Sequence, residues 1–337
     1  MSAKKRNTTI DLIRGLAMLM VVLGHTMTGS AAHAENSFLF NVIWSLQMPL
    51  FMLISGYVTR YSRGASSLRA LIGSKTVAYL VPWACWTFLI RGMIFGQANY
   101  LDIKWLLWNM DSGYWFLFSL WIITMIFGAA SHAAKRFAKG SDRAELVLTT
   151  AGYLLGMAAL AGIGWKVGLS FLCIKLTLYY MPFYYAGYLF GRIQGSLEQK
   201  AAYASWKDMI TAICLVVWLT VLAHVDLYTI ADNLMGIMIR GLSSLSGCVA
   251  VCGLVSAFST KHTRGRYIVW VGQHSLEVYL LHYLLLNQVK LVERPEFNTA
   301  MGMGIAAVNY VLTLVLCSLL IELLNGNRLI KRVAFGK

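Results

Sequence analysis

The sequence is poor in charged residues, in acidic residues above all, and in proline. Only 13% of its 337 residues are charged whereas 58% are hydrophobic, and the mean hydropathy is +0.63. A soluble protein needs more polar surface, so this composition excludes an ordinary soluble domain and indicates a polytopic membrane protein. Four prolines and short connections leave no room for a separate soluble domain. We therefore predict one integral-membrane domain over residues 1–337.

Familiar catalytic and nucleotide-binding motifs are also missing. The chain contains no GxSxG elbow, no Walker sequence and no GxGxxG fingerprint. Their absence argues against a serine hydrolase of the usual fold, an ATPase and a dinucleotide enzyme. The six cysteines all fall in apolar segments, without metal-ligand spacing to nearby histidines. We expect free thiols in the bundle and no bound metal.

Long apolar segments dominate what is present. A transmembrane helix needs about 20 mostly apolar residues. Ten segments meet this requirement: 10–28, 38–58, 76–96, 113–131, 146–164, 167–191, 208–225, 234–258, 267–289 and 300–324. The sequence thus predicts an all-α, polytopic transmembrane helical bundle of about ten spans.

The net charge of +15 raises the question of nucleic acid binding. If the N-terminus is cytoplasmic, most lysines and arginines fall in cytoplasmic segments. The outer loops then hold only Lys104, Lys166, Lys290 and Arg294. This asymmetry is the positive-inside rule, so we predict cytoplasmic N- and C-termini, surrounding membrane lipids and no nucleic acid partner. The expected location is the cytoplasmic (inner) membrane, with multiple passes.

The first apolar segment imitates a signal peptide. Basic residues at 4–6, an apolar run and the small residues around Ala32 and Ala34 resemble a cleavable leader. However, Arg14 sits well inside the segment, and the apolar stretch is long enough to span a membrane. We therefore expect it to be retained.

Two polar residues in this first span need an explanation. An ionisable side chain at membrane depth costs roughly 2.5–3.5 kcal/mol and marks a candidate functional site. Arg14 and His25 differ by about 20° around a helix and by roughly 16 Å along it, so they share one face. Taken alone, each residue has a structural explanation: Arg14 as a side chain that snorkels to the headgroups, and His25 as a hydrogen-bonded structural histidine. Their pairing on one helix face weakens both structural explanations and favours a functional site.

The ninth segment, "VGQHSLEVYLLHYLLL", carries a second polar set. Ser275, Tyr279 and His282 share a helix face, within about 60° of one another. Glu277 is a carboxylate near mid-span, and a buried carboxylate needs a partner. Three residues of other spans are candidates for it: Arg91, Arg240 and His25.

Two further features admit two interpretations each. The basic loop before the third span, with Arg60, Arg63, Arg69 and Lys75, fits either positive-inside bias or a phosphate-rich cytoplasmic ligand. Trp115 fits either the aromatic belt or a platform for a sugar ring.

The chemistry that these residues support is not unique. A histidine titrates near neutral pH and can act as a general base on a hydroxyl. The residues alone are compatible with a membrane transferase, or with a proton-coupled transporter or flippase that uses His25 and Glu277.

Four motifs resemble one family in its usual order. "DLIRGLAMLMVVLGH", with ten residues between Arg14 and His25, is similar to the first-helix signature of the acyltransferase 3 family of integral-membrane O-acyltransferases. "MPLFMLISGY", "YYMPFYYAGYLFGR" and "VGQHSLEVYLLH" resemble later segments of that family. The closest likeness is to fucose 4-O-acetylase-like members. The family has about ten spans and usually transfers acetyl from cytoplasmic acetyl-CoA to hydroxyls of cell-surface glycans or lipid-linked sugars.

The resemblance also implies roles for individual residues. His25 becomes the catalytic residue, as general base or as transient acyl carrier, with Glu277 as a second catalytic candidate. Arg14 becomes a binder of the CoA phosphates or of the cofactor arm. The adenine-nucleotide end would be bound by the four basic residues Arg60, Arg63, Arg69 and Lys75. The candidates for substrate binding are Arg91, Trp115, Ser275, Tyr279 and His282.

Overall fold

The computed structural model describes residues 7–61, 67–200, 202–259, 265–286 and 288–336, which form helices joined by short turns. The helices are α1 (Thr8–Ser30), α2 (Phe38–Tyr57), α3 (Leu68–Ile94), α4 (Ile103–Trp108), α5 (Trp115–Phe137), α6 (Asp142–Val167), α7 (Ile174–Glu198), α8 (Tyr203–His224), α9 (Leu234–Ser259), α10 (Arg266–Gln273), α11 (Ser275–Leu285), α12 (Ala300–Leu324) and α13 (Arg328–Phe335). Within these described ranges there is no β-strand, only an isolated bridge between Ala32 and Glu296. The predicted all-α class is confirmed.

Eight of these helices are long and apolar enough to cross a membrane: α1, α2, α3, α5, α6, α8, α9 and α12. Each coincides with one of the ten predicted segments. The other two predicted segments, 167–191 and 267–289, differ from the structure. The count of ten spans and the cytoplasmic termini stay predictions.

The segment predicted at 167–191 starts later than expected. Gly168 has a φ of 106°, and Leu172 and Cys173 also have positive φ values. These left-handed backbone conformations cannot continue a right-handed helix. The helix therefore begins at Ile174 and runs to Glu198.

The segment predicted at 267–289 is divided in two. Helical geometry is interrupted at His274, whose φ and ψ are −109° and 22°. His274 Nδ1 bonds to the carbonyl of Trp270 at 3.0 Å, and its ring stacks on the indole with centroids 4.4 Å apart. A new helix, α11, starts at Ser275 and ends at Leu285, so the prediction of one continuous helix was wrong.

Apolar side chains cover much of the outer surface. Leu155 in α6, Val216 in α8 and Leu319 in α12 are 72%, 63% and 63% exposed. Large exposed apolar surfaces on several long helices are costly in water but fit contact with lipid tails. By contrast, more than half of the residues in the most apolar 18-residue stretch of α1 (56%) and of α2 (61%) are buried inside the protein.

The chain divides into two compact units. The first comprises Met1–Val58 and Ala186–Leu323, and the second comprises Thr59–Tyr185 and Leu324–Lys337. The single integral-membrane domain over 1–337 stays a prediction.

The first unit is built around α1. Asn7 caps this helix by accepting hydrogen bonds from the backbone amides of Thr9 and Ile10, at 3.0 and 3.4 Å. A side-chain cap of this kind satisfies amides that have no partner in the first helical turn. The helix then continues without interruption to Ser30, so Arg14 and His25 belong to one helix.

Two glycines bring α1 and α10 into backbone contact. A β-carbon built on Gly15 would lie 1.9 Å from the carbonyl oxygen of Ile268, and one on Gly272 would lie 1.8 Å from that of Asp11. Only glycine allows two helices to approach this closely, which is a common way to pack membrane helices. Because α11 follows α10 after a single residue, this crossing also fixes α11 relative to α1.

In the second unit, α3 is irregular and holds the C-terminal helix. Two stretches of α3, Thr76–Leu80 and Cys85–Ile94, are π-helical. Trp86 donates its indole N–H to the carbonyl of Ala334 at 2.8 Å, and its ring lies 6.3 Å from that of Phe335, which is fully buried. α13 is therefore attached to α3 by both a hydrogen bond and an apolar anchor.

Candidate active site

His25 lies at the centre of an aromatic cluster in the first unit. Its Nε2 atom is 3.2 Å from the hydroxyl of Tyr283, and the two ring centroids are 4.7 Å apart. The ring of His282 lies 5.4 Å from that of His25 and 4.6 Å from that of Tyr283. Two imidazoles and a phenol thus meet where α1 packs against α11.

Hydrogen bonds fix the proton on the His282 ring. Its Nδ1 atom lies 2.7 Å from the carbonyl oxygen of Tyr279 and 3.1 Å from that of Val278. Carbonyl oxygens only accept, so Nδ1 carries a proton and, in the neutral ring, Nε2 has the lone pair. His282 is completely buried, and Nε2 has no hydrogen-bond partner in the part of the chain that the structure describes. This atom can accept a hydrogen bond from a ligand.

A second buried acceptor lies beside the same stretch of α1. The Oε1 atom of Gln47, in α2, has no hydrogen-bond partner among the described residues, although the residue is only 8% exposed. A β-carbon on Gly24 would be 3.6 Å from this oxygen, so Gln47 packs next to the residue that precedes His25. Buried polar atoms are normally paired, and orphaned ones mark a functional role or an absent ligand.

The remaining residues of the ninth segment surround His282. Tyr279 is buried, with its ring 5.9 Å from that of His282, while Ser275 is half-buried at the start of α11. Glu277 is fully buried. The structure therefore places His282 beside both Tyr279 and His25.

Two of the partners predicted for Glu277 are engaged elsewhere. Arg240 donates to the carbonyl oxygens of Leu227 and Ile230, at 3.0 and 3.1 Å, and lies 3.6 Å from the carboxylate of Asp232. It holds the loop before α9. His25 contacts Tyr283 instead of Glu277.

Arg14 is half-buried, near the start of α1. Its helical turn is held to α10 by the glycine crossing and by Gln273, whose amide donates to the buried carboxylate of Asp11 at 3.3 Å. The structure thus places Arg14 at one end of α1 and His25 towards the other, both in the first unit.

The second unit holds Arg91 and Trp115. Arg91 donates to the amide oxygen of Gln97 at 2.9 Å, and its guanidinium lies 4.2 Å from the ring centroid of Tyr100. Trp115 stacks on Tyr180 with centroids 5.4 Å apart. These contacts fix both side chains within this unit, and their predicted roles in substrate binding stay predictions.

The basic residues predicted to bind the nucleotide also belong to the second unit. Arg69 is exposed, and the half-buried Lys75 lies 5.5 Å from the ring centroid of Tyr79. Arg63 lies outside the described residues, and only the backbone of Arg60 is described, in the turn Val58–Tyr61.

Tyr283 is the site residue that sequence reasoning missed. On a helical wheel it lies about 100° from His282 but only about 40° from Tyr279, just beyond the arc of about 60° that holds Ser275, Tyr279 and His282. Its contact with His25 depends on how α11 packs against α1, which the sequence does not show. The available signals were its position four residues after Tyr279 and next to His282.

Apolar helices around a partly buried histidine–tyrosine cluster define a multi-pass membrane protein with an enzyme-like site. Comparison with known proteins identifies the reaction class: the chain belongs to the acyltransferase 3 family, whose acyltransferase domain matches residues 7–322. It is similar to the nodulation protein NolL of Sinorhizobium fredii, with 23% identity over 87% of this chain and 82% of that protein. It is also similar to NolL of Mesorhizobium japonicum, with 22% identity over 90% of this chain and 85% of that protein.

The protein is therefore an acyltransferase, and the resemblance predicted from its motifs is confirmed. This membership favours the transferase interpretation over the transporter. Among the described residues, no group of three or more His, Cys, Asp or Glu side chains is placed to hold a metal ion.

Replacing Tyr283 with phenylalanine tests its contact with His25. The substitution keeps the ring and removes a hydrogen bond worth about 0.5–1.5 kcal/mol, so we expect kcat to fall about two- to tenfold with KM unchanged. Steady-state kinetics of acyl transfer measures both constants.

Tyr228→Phe is the matched control for this substitution. Tyr228 is a tyrosine of the same unit whose ring packs on Phe40 and Trp44. The Tyr228→Phe variant should have the kcat and KM of the wild type. An unchanged kcat for Tyr283→Phe would show that the hydroxyl does not assist His25.

Proposed function

We propose that the protein is a membrane O-acetyltransferase that moves acetyl from cytoplasmic acetyl-CoA to a hydroxyl of a cell-surface or lipid-linked glycan. The observation that carries this proposal is the His25–His282–Tyr283 cluster within an acyltransferase fold. The proposed location is the cytoplasmic membrane, with both termini in the cytoplasm.

In the proposed reaction His25 acts as general base. If its Nε2–H donates to the Tyr283 hydroxyl, Nδ1 holds the lone pair and can take the proton of the acceptor hydroxyl. The hydroxyl oxygen then attacks the thioester carbonyl, the carbon–sulfur bond breaks, and the thiolate leaves and takes up the proton from His25. Tyr283 positions the ring through this hydrogen bond, and because a phenol can donate or accept, the tautomer with its proton on Nε2 is part of the proposal.

Unpaired buried acceptors support a hydroxyl-bearing acceptor. His282 Nε2 and Gln47 Oε1 both lack a donor among the described residues, and they flank the part of α1 that carries His25. A sugar presents several O–H donors on adjacent carbons, and each can satisfy one such atom. A hydrophobic substrate would leave both atoms unpaired, at a cost of about 1–3 kcal/mol each.

Arg14 provides the link to the acyl donor in this proposal. It lies on the same face of α1 as His25, roughly 16 Å away along the axis. The pantetheine arm of CoA is long enough to cover such a distance. A guanidinium at the cytoplasmic end would then pair with the donor's phosphates.

Transfer of labelled acetyl tests the proposal directly. Purified protein in lipid nanodiscs, given acetyl-CoA labelled in the acetyl group, should transfer the label to a glycan hydroxyl in an ester bond that mild base cleaves. Label that stays on His25 in the absence of acceptor would favour the acyl-carrier route. Absence of saturable acetyl-CoA binding would overturn the proposal.

Replacing Arg14 with glutamine should weaken donor binding. Hydrogen bonds to charged groups contribute about 1.5–3 kcal/mol, so we expect KM for acetyl-CoA to rise about 10- to 100-fold. The control is Arg143→Gln, which removes an exposed arginine at the start of α6. Equal KM values for the two variants would exclude Arg14 from donor binding.

A further inference from the structure

The C-terminal helix α13 presents its positive charge on one defined face. Around a helix, Arg328, Lys331 and Arg332 fall within an arc about 100° wide, and Phe335 lies inside the same arc. Val333 lies about 160° from Phe335. The helix thus has one cationic face, which also carries its buried anchor.

The anchor fixes the direction of this cationic face. Phe335 is completely buried against Trp86 of α3, whereas Val333 is 39% exposed. Arg328 and Arg332 remain exposed and Lys331 is half-buried. The three cations consequently lie on the same side of α13 as its buried anchor, and Val333 lies on the opposite side.

The end of the chain brings this face to the basic start of α3. A β-carbon on Gly336 would lie 2.7 Å from the carbonyl oxygen of Val77 and 2.8 Å from that of Ala78. Lys75 is two residues before Val77. Along the axis of α13, Arg328 and Arg332 are about 6 Å apart, since they are four residues apart in the helix.

No acidic residue neutralises these charges locally. The segments 59–101 and 324–337, which contain α3 and α13, include no aspartate or glutamate. Among the described residues, the ion pairs that the structure shows involve side chains other than Arg328, Lys331, Arg332 and Lys75. Several unpaired cations near one another repel, and an anionic ligand relieves that repulsion.

We propose that the cationic face of α13 (Arg328, Lys331 and Arg332), together with Lys75, binds the phosphate groups of the nucleotide half of the acyl donor. This inference rests on the proposed function, in which the donor is acetyl-CoA. It assigns a binding role to a C-terminal helix that the sequence interpretation left without one. Arginine and lysine are the side chains best suited to phosphate, through bidentate and point-charge contacts respectively.

Anionic lipid headgroups offer the same phosphate chemistry. A helix that binds a membrane surface buries its apolar face in the lipid and keeps its cations beside the headgroups. The sequence of α13 also places apolar residues opposite its cationic arc. What favours the donor is the buried anchor Phe335 inside that arc and the close approach of Gly336 to the backbone of α3, and the test below separates the two sources of phosphate.

The test compares two donors that differ only in the nucleotide. Wild type and the double variant Arg328→Gln/Arg332→Gln, in nanodiscs of neutral phosphatidylcholine, are assayed with acetyl-CoA and with acetyl-pantetheine. We expect KM for acetyl-CoA to rise at least tenfold in the variant, with kcat unchanged and KM for acetyl-pantetheine unchanged. The matched control, Lys139→Gln/Arg143→Gln, removes two exposed cations of the same unit and should match the wild type.

A second measurement keeps the inference testable if the double variant is unstable. Adenosine 3′,5′-bisphosphate should inhibit wild type competitively with acetyl-CoA, and the single variants Arg328→Gln and Arg332→Gln should each weaken this inhibition. Adenosine without phosphates should inhibit all forms equally poorly.

The outcomes separate this inference from the proposed function. If wild type uses acetyl-CoA but the variants keep its KM and the inhibition, the inference is overturned and the proposed function stands. If the variants differ from wild type only in nanodiscs that contain phosphatidylglycerol, the face binds lipid and the inference is again overturned. If wild type transfers nothing from acetyl-CoA, both fall.

Discussion

Replacing His25 with alanine is expected to abolish acyl transfer while the protein remains folded in the membrane. A general base commonly contributes a factor of about 10²–10⁴, and removal of the imidazole also removes its contact with the Tyr283 hydroxyl. The loss should appear in kcat. The measurement is the amount of acyl ester formed per enzyme, by purified protein or on glycans of cells that produce the variant at wild-type levels.

Another histidine of the same chain, His132, provides the control for this experiment. It is exposed on α5, in the second unit, and its replacement by alanine should leave the rate of acyl transfer unchanged. Unchanged acylation by the His25 variant, at normal protein levels, would remove His25 from the mechanism. If the His25→Ala variant is inactive but the Tyr283→Phe variant keeps full activity, His25 acts as a base without help from the Tyr283 hydroxyl.

Replacing Gly272 with alanine should destabilise the first unit. The new β-carbon would lie 1.8 Å from the carbonyl oxygen of Asp11, and a backbone atom cannot move away without shifting α1. Overpacking of this kind costs typically about 1–3 kcal/mol, sometimes more. We expect a lower midpoint of thermal unfolding in detergent, measured by the fraction of protein that remains monodisperse after heating.

Gly304→Ala is the matched control for this substitution. Gly304 lies in α12 of the same unit, and a β-carbon there would meet no atom within 4 Å. Because alanine favours helices more than glycine does, this variant should be as stable as the wild type or slightly more stable. Equal midpoints for the Gly272 and Gly304 variants would show that the close crossing of α1 and α10 is not required.

The same crossing links stability to chemistry. α10 continues into α11 after His274, and α11 carries His282 and Tyr283. A shift of α10 away from α1 would therefore separate Tyr283 from His25, which are 3.2 Å apart across their hydrogen bond. Any Gly272 variant that survives purification should have a reduced kcat as well as reduced stability.

Several features could be predicted because they depend on local pattern. Apolar runs long enough to cross a bilayer identified all eight of the long apolar helices. The helical period placed Arg14 and His25 on one face, and α1 is indeed continuous through both residues. The family resemblance, which supplied the reaction, also rested on short contiguous motifs.

Other features were predicted wrongly or missed, because they depend on local backbone breaks or on distant partners. Positive φ values at Leu172 and Cys173 delay the start of α7, although both residues are apolar and leucine favours a helix. Arg240 was a candidate partner for Glu277, but the carbonyls of its own preceding loop satisfy it. A helical period describes one helix and carries no information about which face meets which neighbour.

The sequence by itself therefore determined the class of protein, the position of eight long apolar helices and the alignment of Arg14 with His25, because hydrophobicity and helical period are local properties. Only the tertiary structure decided that Tyr283 meets His25, that Nε2 of His282 has no partner among the described residues, and that Phe335 of α13 is buried against Trp86 of α3. Each of these depends on contacts between residues far apart in the chain. Such contacts are set by packing, such as the approach of Gly15 and Gly272 to the opposite backbone, and packing is a property of the whole fold.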